Sequence, residues 1–70
     1  LFSYETNASI EEVMAYYKAE LAADGWSLDQ EIVGGETGIL VFMQGGSGLS
    51  VAINGDPNNP GTLTVVIIKE

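Results

Sequence analysis

Seventy residues carry ten Asp and Glu against two Lys, for a formal net charge of −8, and His, Cys and Arg are absent. A chain of 7.4 kDa has room for one hydrophobic core, so residues 1–70 read as a single domain without a disulfide to staple it. The missing residue types exclude a Ser–His–Asp triad, a thiol nucleophile, and a zinc or iron–sulfur centre. Lys18 and Lys69 alone cannot neutralise a phosphate backbone, which argues against nucleic acid as a partner, and anionic membrane surfaces are disfavoured for the same reason.

In chain order, residues 1–6 (LFSYET) alternate as a short strand. Ser9 and Glu12 then form an S-x-x-E capping box, with acids at 11 and 12 suiting the positive end of a helix dipole. Ile10, Val13, Met14, Tyr17 and Leu21 recur at helical spacing and define one buried stripe. Gly25 ends the helix in a left-handed cap, with Trp26 folding back toward Leu21.

The remainder reads as strands and turns. Residues 26–33 place Trp26, Leu28 and Ile32 on the inner row, with Gln30 the odd member and Asp29 and Glu31 on the polar side. Gly34, Gly35 and Glu36 make a turn, and residues 37–44 a strand whose five consecutive apolar residues (39–43) imply burial on both faces. A turn over 45–48, a strand over 49–54, a Pro/Asn/Asp/Gly loop over 55–61 and a final Thr/Val/Ile strand over 61–69 complete the chain. The expectation is an α+β fold, β-α-β-β-β-β, with one antiparallel sheet of about five strands and one helix on one face. The first strand enters either beside the last strand, which is the preferred place, or at the sheet centre.

The Tyr4-x-Thr6 strand, the helix Ser9-x-Glu11-Glu12-Val13-x-x-Tyr16-Tyr17 and the Leu21-x-x-x-Gly25-Trp26 exit resemble a small α+β domain of uncharacterised bacterial envelope lipoproteins. Leu40-x-Phe42 and the later alternating strands are similar too. The resemblance implies an extracytoplasmic domain, cell-envelope associated or secreted, tethered through a lipidated Cys upstream. It supplies no activity and no functional residue. A chain that opens on Leu1 already in a strand fits the removal of an upstream signal or tether, and no apolar stretch approaches the ~20 residues of a membrane span.

The local motifs have structural explanations. The glycine clusters lack the Lys and the following helix that phosphate cradles need. Asn54, Asp56 and Asn58 have calcium-loop spacing, but Asn59 stands where the turn glycine belongs and Val65 where the bidentate Glu belongs. The carboxylates have no apolar pocket to tune them for acid–base work. No catalytic residue, metal ligand or cofactor is therefore assigned, and the expectation is a non-enzymatic domain.

One feature does not fit a solvated surface. With Leu40, Phe42, Leu49, Val51, Ile53, Leu63, Val65 and Ile67 facing the helix, the opposite face carries Ile39, Val41, Met43, Ala52, Val66 and Ile68. One helix cannot cover both faces, and a patch of that size exceeds what a soluble monomer usually exposes. An upstream segment covers it, or it is an interface for a protein partner or a weak homodimer; scattered surface aliphatics are the bland alternative. A second class of function is small-ligand binding in a groove lined by Tyr16, Tyr17 and Trp26.

Overall fold

The computed structural model describes residues 2–35 and 37–69. Its elements are β1 (Phe2–Thr6), α1 (Ile10–Ala23), β2 (Ser27–Gly34), β3 (Thr37–Gln44), β4 (Ser47–Gly55) and β5 (Leu63–Lys69). Leu1 and Glu36, expected in the first strand and the first hairpin turn, lie outside the described residues. The five strands form one antiparallel sheet in the order β1-β5-β4-β3-β2, so the first strand does pair beside the last. Successive hairpins fix four of the strands, and the chain returns through α1 to close the other edge.

The helix begins and ends as its residues dictate. The Ser9 hydroxyl accepts from the Glu12 amide, and Glu12 Oε1 accepts from the Ser9 amide, each at 3.2 Å. At the other end Gly25 adopts φ 89°, the Gly25 amide donates to the Ala22 carbonyl and the Trp26 amide to the Leu21 carbonyl. That is a Schellman cap, available to glycine because it has no Cβ.

Ile10, Val13 and Met14 on α1 bury against Leu40, Phe42, Val51, Ile53 and Val65 of the sheet, while Tyr17, Leu21, Trp26, Leu49, Leu63 and Ile67 pack around that centre. The expected inner row is thus the inner row, and Trp26 is half-buried against the core. Gly38 lets the helix come close: a Cβ there would stand 3.1 Å from Met14 Sδ and 3.2 Å from Ile10 Cδ1.

Strand β2 departs from the sequence reading at one residue. Leu28 pairs with Phe42 but Gln30 pairs with Val41, so Asp29 is the extra residue of a β-bulge. Beyond it the parity reverses. Gln30 and Ile32 share the outer face with Val41 and Ile39, and Glu31 turns to the helix side, where its carboxylate meets Lys18 Nζ at 2.9 Å. Simple alternation had placed Ile32 inside and Glu31 outside; the bulge inverts both.

Candidate functional site

Two surfaces stand out, and both follow from how strand parity distributes the side chains. The first is the outer face of the sheet. Register places Ile32, Ile39, Ala52 and Val66 in one row across four strands, and Gln30, Val41, Ser50 and Ile68 in the next. Met43 extends the patch beside Gly48. Of the residues expected there, Ile39, Met43 and Ile68 are 41%, 40% and 45% exposed, and Val41, Ala52 and Val66 are half-buried among their neighbours. Ile32, missed because of the bulge, is 58% exposed and widens the patch to β2. Its signal in the sequence was the misfit of Gln30, whose polarity broke the expected inner row.

Charge is distributed the other way. Glu11, Glu12, Glu20 and Lys18 ride on the helix, Asp24 caps it, and Glu31 faces it. Among the described strand residues that pair across the outer face, only Glu5, on the edge strand β1, carries a charge.

The second surface is an aromatic corner between β1 and α1. Alternation along β1 turns Phe2, Tyr4 and Thr6 to the helix side, opposite Ile67, Val65 and Leu63. Phe2 and Tyr4 ring centroids lie 5.8 Å apart, Tyr16 and Tyr17 meet edge to face at 5.2 Å, and the Tyr4 and Tyr17 hydroxyls are hydrogen-bonded. Burial first, then the Tyr4 hydrogen bond and the neighbouring Tyr4 and Tyr16, hold the Tyr17 hydroxyl above the ordinary tyrosine range. An open groove of about 270 Å³ runs here, lined by Tyr4, Thr6, Ala8, Glu12, Val13 and Tyr16. Of the three aromatics expected to line a groove, Tyr16 does so; Tyr17 lies beside it, and Trp26 is not part of its lining. Tyr4, Thr6 and Glu12 are the additions, and the period of β1 was the signal for the first two.

A wider cleft of about 380 Å³ lies at the N-terminal end of α1 and includes Asn7, Asp56 and Thr62. Its polar groups are spent on the fold. Asn7 Nδ2 donates to Gly61 O and Thr62 Oγ1, and Asp56 Oδ1 accepts from the Asn58 amide, the closed turn of a structural loop.

A family model described as START domain-like matches residues 1–65. No curated protein and no solved structure matches the chain.

Proposed function

This chain belongs to the START domain-like family, and from that premise we propose that it is a non-enzymatic binding module whose outer sheet face docks a second copy of itself. The observation that carries this reading is the contiguous aliphatic surface from Ile32 to Ile68, exposed in a chain of net charge −8 that keeps almost all its charge elsewhere. An aliphatic face whose one carboxylate, Glu5, stands at its edge offers little to a charged partner. It is, however, self-complementary about a two-fold axis, since each copy presents the same apolar rows.

Magnitudes make the contact reversible. Four strands about 4.8 Å apart and five residues long offer roughly 320 Å² in projection, below the ~800 Å² per partner of a standard interface. If half a dozen aliphatic side chains on each copy lose about 50 Å² apiece, the pair buries roughly 600 Å² and gains on the order of 15 kcal/mol gross. Lost rigid-body freedom and side-chain ordering remove ~4–15 kcal/mol of that. Face-to-face packing puts the two acidic helices on opposite outsides, roughly 30 Å apart and several Debye lengths at physiological salt. Repulsion therefore opposes the pair mainly at low ionic strength.

Sedimentation across protein concentration and salt tests it. The expected result is a dimer that grows with concentration, strengthens with salt, and is lost in Val41→Lys while circular dichroism keeps the native spectrum. A monomer at high concentration and high salt would overturn it. The resemblance of the Tyr4–Trp26 segment to envelope lipoprotein domains supports locating this module outside the cytoplasmic membrane, and the absence of His and Cys supports a non-enzymatic role.

A further inference from the structure

We propose that the groove between β1 and α1 is a binding site for a small quaternary ammonium ion; it is independent of the sheet-face reading, since the groove lies on the opposite side of the sheet. The argument starts from the walls. On α1, Glu12 and Tyr16 stand one turn apart at i and i+4; on β1, Tyr4 and Thr6 stand at i and i+2; Val13, 6% exposed, closes the floor with Ala8. Two aromatic rings and one carboxylate thus border a cleft of about 270 Å³. Tyr16 is 58% exposed with its ring already oriented edge to face by Tyr17, so it is presented at little entropic cost.

Charge selects a cation. Glu12 sits in the groove, and a net charge of −8 concentrates cations around the molecule. Aromatic rings attract cations through their quadrupoles. Hydration then selects the kind of cation. Glu12 Oε1 accepts from the Ser9 amide, Thr6 Oγ1 from the Ala8 amide, and the Tyr4 hydroxyl is bonded to Tyr17. A primary ammonium is a compact, strongly hydrated point charge that must give up bound water to reach the remaining acceptors of this open groove, such as Glu12 Oε2. A methylated ammonium brings no donor, and spreads its charge over a surface that suits aromatic rings and the exposed side of a carboxylate.

The experiment is a titration of the isotope-labelled chain with tetramethylammonium, read by backbone amide shifts, with methylammonium and uncharged tert-butanol in parallel. Saturable shifts are expected at Thr6, Ala8, Glu12, Val13 and Tyr16, tightest for tetramethylammonium and weakened by salt. Tyr16→Leu removes the ring and weakens binding roughly two- to fivefold, whereas Tyr16→Phe retains it. Glu12→Gln keeps the capping box, because Gln serves at that position, and weakens binding by removing the charge. A phosphocholine arm distinguishes a free ion from a headgroup: the acidic surroundings favour the free ion. Equal binding of tert-butanol, no saturable shift, or indifference to Tyr16→Leu would each overturn the assignment.

Discussion

Tyr17 concentrates several demands in one side chain: its ring packs on the core, its edge meets Tyr16, and its hydroxyl bonds to Tyr4, thirteen residues upstream on β1. Because the folded state holds its proton above the ordinary value of 10.0, the unfolded chain is the first to release it as pH rises. In that window the unfolded state binds fewer protons, so stability falls with rising pH; below it the contribution is fully present. The expected outcome is a chain whose urea midpoint declines above about pH 10 and a Tyr17→Phe variant with a flatter alkaline limb. At neutral pH the same variant loses about 1 kcal/mol with the hydrogen bond. A parallel alkaline decline in both proteins would show that Tyr17 is not its source. By contrast the Lys18–Glu31 pair, 39% and 36% exposed, contributes little, because solvent screens it.

At the scale of elements, the helix depends on its first turn. Ser9→Ala leaves the Glu12 amide without its acceptor and removes half of a reciprocal pair, which costs about 1 kcal/mol; an unchanged denaturation midpoint would mean the box contributes nothing. This device was legible in the sequence because both partners are three residues apart and each has a local job. The Schellman exit at Gly25 was legible for the same reason, and the eight inner-row apolar residues because period 2 survives along β3, β4 and β5. Strand β2 was not. A bulge adds one residue without altering composition, so Leu28 and Ile32 still look like members of one row although Asp29 separates them. Nor was the corner groove fully legible: Tyr16 announced itself, but Tyr4 joins it only because β1 crosses to the far edge and pairs with β5.

For the whole molecule the governing feature is lopsidedness. Folding gathers five of the ten acids, Glu11, Glu12, Glu20, Asp24 and Glu31, onto the helix side, closer together than an expanded chain would hold them. Like charges a few ångströms apart at a wet surface repel by on the order of 1 kcal/mol or less per pair. The melting temperature is therefore expected to rise with sodium chloride even in the monomeric Val41→Lys variant, where dimer formation cannot contribute. A melting point independent of salt in that variant would show that self-repulsion is negligible.

The same asymmetry decides how the molecule meets a solid support. Carboxylates of the helix side would seat it helix-down on a positively charged resin. Both lysines lie on that side too, Lys18 on α1 and Lys69 opposite Leu49 in the helix-facing row. Ionic capture and coupling through side-chain amines would therefore orient it alike, with the aliphatic sheet face turned outward as a uniform apolar carpet.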